Sequence, residues 1–256
     1  MATLSRHHFN YAVLDETAHR PWPMPDSAWV MTQTWHDLLF AHWPIDPAVL
    51  RPKVPSVFPL DLFDGRAWLG IVPFFMTNVA PRFLPALPGV SAFPELNVRT
   101  YVRLGDKAGV FFFSLDAGSA LAVGAARGAL NLPYFTASMH VDADGESVTY
   151  SSRREPSSGP SANFSATYRP TGPARPPEVG SLEYFLTERY CLYALDRRSR
   201  PYRLDIHHPP WPLHPATADI TINTMADPAG VPLPPAAPLL HFARRQDMVA
   251  WPPQFM

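Results

Sequence analysis

Proline is the feature that most limits what this chain can become. It occurs 32 times in 256 residues, and each occurrence removes a backbone donor and fixes φ, which shortens helices and interrupts central strands. Short strands joined by turns are what such a sequence builds. The expectation is a mainly β protein, β-rich with a few short helices. It has one domain over residues 29–256, preceded by an irregular arm over 1–28 whose Trp22 and Met24 lay it across the domain surface.

The remaining composition removes several function classes. Hydrophobic residues make up 46% and charged residues 17%, ample for a core and far from disorder. With 21 basic against 22 acidic residues and no long basic run, the electrostatic footprint of a nucleic-acid binder is missing. No stretch approaches the roughly 20 apolar residues of a membrane helix, and the N-terminus carries no apolar export segment. Cys191 is the sole cysteine, so an internal disulfide is impossible and a cytoplasmic location is expected. The expected partner is a small-molecule ligand, with no nucleic acid and no membrane.

Local signals divide the chain. Asp46 is a good N-cap, Pro47 suits the first helical position and Pro52 ends that helix near Arg51. Asp64-Gly65 marks a tight hairpin between Leu60–Phe63 and Ala67–Val72. Glu95 to Arg103 alternates strictly, with Leu96, Val98, Thr100 and Val102 on one face and Glu95, Asn97, Arg99, Tyr101 and Arg103 on the other. Ala117 to Leu130, rich in alanine and glycine, reads as a short, closely packing helix. Ser181 to Leu195 reads as the clearest helix, capped by Ser181.

Sharp catalytic motifs are absent. There is no glycine-rich phosphate loop, nucleophile elbow or zincin helix, and nothing calls for a cofactor. His36 and His42 share a side if their strand runs straight, and His207, His208 and His214 occupy a proline-rich loop. At this loose spacing, without a Cys partner, they read as hydrogen-bonded or surface residues and not as a metal site. Glu95, Arg99 and Tyr101 project a carboxylate, a guanidinium and a phenol from one strand face, toward either a cavity or solvent. Glu188-Arg189-Tyr190 reads as a structural clamp.

Five blocks in order, FAHWPIDPAVLRPKVP, LFDGRAWLGIVPFFM, ELNVRTYV, LTERYCLY and HHPPWPL, resemble the YqjF-like family of uncharacterised proteins from Trp35 onward. That family is similar in fold to the acetoacetate decarboxylases. The resemblance implies a closed, cone-shaped antiparallel β-barrel with the site in its lumen, and a homo-oligomer. Phe93-Pro94-Glu95 resembles the decarboxylase segment whose glutamate lines the pocket, and Arg127 and Pro133 fall at the spacing of later elements. His36 falls near the substrate-binding arginine. Tyr134 stands where the Schiff-base lysine is expected, Phe135 where its neighbouring lysine is, and Gly128 where a glutamate is.

A tyrosine cannot form an imine, and the only lysines, Lys53 and Lys107, occupy positions unsuited to a lumen. The expectation is therefore a carboxylate or carbonyl ligand bound by His36, Arg99, Tyr101 and Arg127. Glu95 acts as general acid or base and Tyr134 as proton donor or oxyanion stabiliser, in lyase, isomerase or hydrolase chemistry. The alternative is a non-catalytic binding or interaction module that presents Trp22, Trp43, Trp211 and the proline loops to a partner.

Overall fold

Turn and cap chemistry places the breaks between elements. Asp64 and Gly65 both have positive φ, 49° and 71°, the geometry of a two-residue hairpin turn, and Phe63 and Arg66 exchange backbone hydrogen bonds of 3.0 Å. Upstream, Leu60 leaves the hairpin and bridges Val102 instead, so only the turn end of the expected hairpin forms. The Asp46 carboxylate accepts from the Ala48 N–H at 2.8 Å, with Pro47 opening the helix it caps.

The computed structural model describes residues 8–87 and 90–256. Among these, the strands are β1 (Met31–Ile45), β2 (Ala67–Pro81), β3 (Phe93–Leu104), β4 (Lys107–Ala117), β5 (Tyr134–Ala143), β6 (Val148–Arg154), β7 (Asn163–Pro170), β8 (Cys191–Leu195), β9 (Pro201–His207), β10 (His214–Asn223), β11 (Leu239–Ala250) and β12 (Gln254–Phe255). The α-helices are α1 (Pro47–Leu50), α2 (Ala120–Leu130) and α3 (Leu182–Thr187). No helix among the described residues is long and apolar enough to cross a membrane.

The expected helix over Ser181–Leu195 is half right. Ser181 caps α3, accepting from the Tyr184 N–H at 3.1 Å, but the helix stops at Thr187 and Cys191–Leu195 becomes β8, paired antiparallel with β9. Tertiary pairing overrides the helical periodicity there: Tyr190, Cys191 and Tyr193 are β-favouring and bury completely in the sheet arrangement.

Strand pairings close two rings that share β11, β1, β2, β3 and β4. One ring of nine runs on through β10, β7, β6 and β5 and returns to β4. It comes near a closed barrel, with seams of only three residue pairs at β4–β5 and two at β10–β11. The other ring closes through β9 and β8. One correction applies to the purely antiparallel barrel that the sequence led us to expect. The β4–β5 and β4–β8 seams are parallel, as the α2 crossover between β4 and β5 requires.

Sharing strands means that both faces of β1–β4 are buried. Leu96 and Val98 of β3 pack with Tyr150, Phe164 and Tyr168 inside the nine-strand ring and fill it. The opposite face looks into the second ring. Bulges keep this division working: Val98 pairs with Ser114 but Arg99 with Phe112, so Leu115 and Phe112 share a face although three residues separate them.

The N-terminal arm is fastened to β9 and the loop after it. Trp22 sits edge-on to Tyr190, the Arg20 guanidinium donates to the Ile206 carbonyl at 2.8 Å, and a His207 ring nitrogen meets the Val13 carbonyl at 2.7 Å. Trp22, Trp43 and Trp211 are all buried, at 7%, 4% and 2% exposure. The expectation that they present a partner surface is therefore corrected: each large ring is more stable inside the core than in water, by a few kcal/mol.

Candidate functional site

The second ring encloses a cavity of about 360 Å³, at the small end of the range for ligand pockets. Every strand of that ring contributes to its wall, and α2 closes one side with Ala122, Ala125, Ala126 and Ala129. Small side chains on that helix face leave the space unfilled. Trp35 stacks on Trp211 at 5.8 Å, and Trp211 meets Phe40 edge-on at 4.9 Å, giving a rigid aromatic wall.

The polar groups come mainly from one strand. Glu95, Asn97 and Arg99 of β3 line the cavity, because they lie opposite Phe74, Val72 and Gly70 of β2, on the face away from the packed ring. Glu95 is 4% exposed, and no cation lies within ion-pair distance of it among the described residues. Loss of hydration pushes its carboxyl up to about 8; the hydrogen-bonding Tyr134 hydroxyl and Asn97 side chain only partly offset this, and nearby Asp116 adds to it. One Glu95 oxygen, Oε2, is buried without a partner among the described residues. Tyr134 opens β5 at the cavity wall, where burial and Glu95 raise its phenol well above the usual value.

Behind Glu95 lies a fixed charge pair. Asp116 and Arg154 form two hydrogen bonds, 2.8 and 2.6 Å, with side chains almost wholly buried, and the Arg154 guanidinium lies 3.9 Å over the Phe135 ring. Arg99 differs: it is half-buried, donates to the Leu186 carbonyl at 3.0 Å, and has no carboxylate partner among the described residues.

The other sequence candidates fall outside the cavity. Tyr101 is fully buried behind it, its hydroxyl 2.7 Å from His42 Nε2, and Arg189 lies 5.0 Å over its ring. Arg127 is exposed on α2, 5.8 Å over the Phe135 ring. The helical period turns it away from the alanines that line the space. His36 hydrogen-bonds Thr77 at 2.7 Å, on the other face of β1 from Gln33 and Trp35. β1 does not run straight: Asp37 takes a positive φ of 50°, and Trp35 and Leu38 both line the cavity, so His36 and His42 do not converge. Among the described residues no three His, Cys, Asp or Glu side chains come together as a metal site. The clamp expected at Glu188-Arg189 is present: Glu188 accepts from Tyr190 and from the Trp211 N–H, and Arg189 pairs with Asp61 at 2.6 Å.

A family model for an uncharacterized conserved protein, DUF2071, matches residues 32–247. The chain belongs to that family. A DUF2071 relative, the uncharacterized protein YqjF of Bacillus subtilis (strain 168), is 49% identical over 229 residues, covering 90% of this chain and 93% of the relative. In fold, this DUF2071 chain is similar to the enduracididine biosynthesis enzyme MppR complexed with pyruvate (TM-score 0.60, 10% identity, 90% of this chain and 91% of the other). It is also similar to an acetoacetate decarboxylase-like enzyme from Sphingomonas wittichii RW1 (TM-score 0.60, 14% identity, 90% and 94%). The acetoacetate decarboxylase of Legionella pneumophila is a third such structure (TM-score 0.56, 13% identity, 99% and 98%).

Asn97, placed on the Glu95 face by the alternation but not named among the site residues, lines the cavity, and its Oδ1 has no partner among the described residues. Trp211 and His208 enter from the loop after β9, and no local pattern announces that.

Proposed function

We propose that this protein binds a small carbonyl or carboxyl compound in the cavity and performs proton-transfer chemistry on it, of lyase, isomerase or hydrolase type. One observation carries the reading: Glu95, buried and without a cation among the described residues, has its carboxyl raised to about 8 beside Tyr134 at the wall of an open, mostly apolar space. A carboxyl that stays protonated at neutral pH is a general acid, and perturbed groups of this kind concentrate at functional sites. Glu95 delivers a proton to a ligand oxygen or carbon. Tyr134, held neutral, donates a hydrogen bond to the oxygen where negative charge develops.

Imine chemistry has no part in this reading. Neither Lys53 nor Lys107 lines the cavity, and Tyr134 offers no amine. MppR, which is similar in fold, forms a complex with pyruvate, which supports a carbonyl compound as the ligand class on this fold.

The test is a thermal-shift screen of oxo acids, hydroxy acids and simple carbonyl compounds, since a ligand that binds only the native state raises the melting temperature. Hits are followed for turnover with Glu95→Gln and Tyr134→Phe. Loss of turnover in both variants with binding retained supports the reading. Binding without turnover by any hit favours a non-catalytic binding protein, and no hit at all refutes the compound classes screened as the ligand.

A further inference from the structure

Among the described residues, the cavity contains a charge with no counter-charge. Arg99 lines it, yet the contacts its guanidinium makes there are with the Leu186 carbonyl and the faces of Phe40 at 5.5 Å and Tyr101 at 5.7 Å. The nearby imidazole of His42 is kept neutral, its pKa lowered well below the usual value by burial, by Arg99 and by His241. Arg189, the other cavity-lining arginine, is already matched by Asp61. A cation held against apolar walls is costly unless an anion meets it.

Packing beside this side chain is tight at the His42 ring, with Arg99 in ordinary contact. Gly70 lies opposite Arg99 in the β2–β3 register, and a Cβ there would approach the His42 ring to 3.0 Å and the Arg99 Cγ to 3.4 Å. A glycine inside a strand, where it weakens the strand, marks such a close approach.

The two polar ends of the wall are tied to different elements. Arg99 is held by the Leu186 carbonyl near the end of α3, whereas Glu95 is joined to Tyr134 at the start of β5. Four residues of strand separate them, about 13 Å between Cα atoms at ~3.3 Å per residue. Between them the lining is aromatic and aliphatic, with Phe40, Val72, Phe74 and Phe112 prominent.

We infer that the natural ligand is a monocarboxylate with an apolar body, its carboxylate on Arg99 and its other end toward Glu95 and Tyr134. The proposal rests on the cavity being the ligand site, and it makes Arg99 the specificity-determining residue. At the ~30 Å³ that one water takes up, 360 Å³ holds about a dozen non-hydrogen atoms, room for an acid considerably longer than a three- or four-carbon oxo acid.

The test uses straight-chain carboxylates from butanoate to tetradecanoate, with octanamide and octane sulfonate as probes, titrated calorimetrically into the full-length protein. The expected result is an affinity that rises with chain length and then falls once the chain outgrows the cavity. Octanamide should bind roughly 10- to 100-fold more weakly than octanoate, the worth of a charge-assisted hydrogen bond. Arg99→Met should erase that difference and Arg99→Lys should keep part of it, while Ala126→Trp, which fills the space from α2, should abolish binding of both.

Octanamide and octanoate binding equally to the unmodified protein, with both lost in Ala126→Trp, overturns the carboxylate assignment and leaves the cavity as the site. Binding indifferent to Ala126→Trp, or none by any probe, overturns the present proposal. Only indifference to filling also removes the cavity reading on which it rests. The octanoate–octanamide comparison needs no variant, so a misfolded arginine mutant cannot obscure the outcome. Octane sulfonate binding more tightly than octanoate would replace the carboxylate by another oxyanion and refute the class named.

Discussion

A carboxyl whose proton is retained only in the folded protein makes stability depend on pH in a calculable way. Glu95 has an ordinary value of 4.5, raised to about 8 in the folded chain. Below pH 4.5 it is protonated in both states and costs nothing. As pH rises from 4.5 to about 8, the unfolded chain releases the proton and the folded chain does not, so the stability contribution present at low pH is progressively lost. At about 1.4 kcal/mol per pH unit, the interval amounts to ~5 kcal/mol, an order-of-magnitude figure. Glu95→Gln keeps the shape of the protonated group and cannot ionise. The variant should match the unmodified protein within ~1 kcal/mol near pH 4 and exceed its stability by several kcal/mol above pH 8. Urea unfolding of both proteins at pH steps from 4 to 9 measures the difference, in which every other titrating group cancels to first order. A difference that stays flat across that interval would refute the reasoning, because it would mean that Glu95 ionises in the folded state as readily as in the unfolded one.

Three further expectations follow from the packing. Asp116→Asn breaks the buried pair with Arg154 and should cost about 3–5 kcal/mol in denaturant unfolding, since it strands an uncompensated guanidinium. Gly70→Ala presses on the His42 ring beside Arg99; it should lower stability by roughly 1–3 kcal/mol and weaken binding of whichever cavity ligand the screen yields. Arg127→Ala, on the exposed side of α2, should change stability by less than about 0.5 kcal/mol and leave that binding unaltered, contrary to the role its position in the sequence had indicated.

How far the sequence could be read depended on whether local chemistry or long-range closure decided the outcome. Asp46, Asp64-Gly65 and Ser181 act within a few residues, and each does locally what its type demands. The alternation along Glu95–Arg103 separated the two faces of β3 correctly as far as Arg99. It could not say which face met solvent, because both faces are buried once two rings share the strand. His36 was misplaced by the single positive-φ residue Asp37, which reverses the parity of β1 and leaves no signature in a one-dimensional pattern. The stretch after Ser181 shows the same limit. Its periodicity is helical throughout, yet pairing with β9 converts Cys191–Leu195 into a strand. Trp22, Trp43 and Trp211 looked available for a partner, but each is claimed by a tertiary contact far away in the chain.

The central claim is that a protonated Glu95 faces the ligand in the cavity, and carbon-detected magnetic resonance of protein labelled at glutamate side-chain carboxyls tests it most directly. One carboxyl signal is expected with a midpoint near pH 8, missing from Glu95→Gln and displaced when a compound from the carbonyl and carboxylate screens binds. If the signal that vanishes in Glu95→Gln titrates in the ordinary carboxylate range, or stays unmoved by every compound that binds, the account is contradicted.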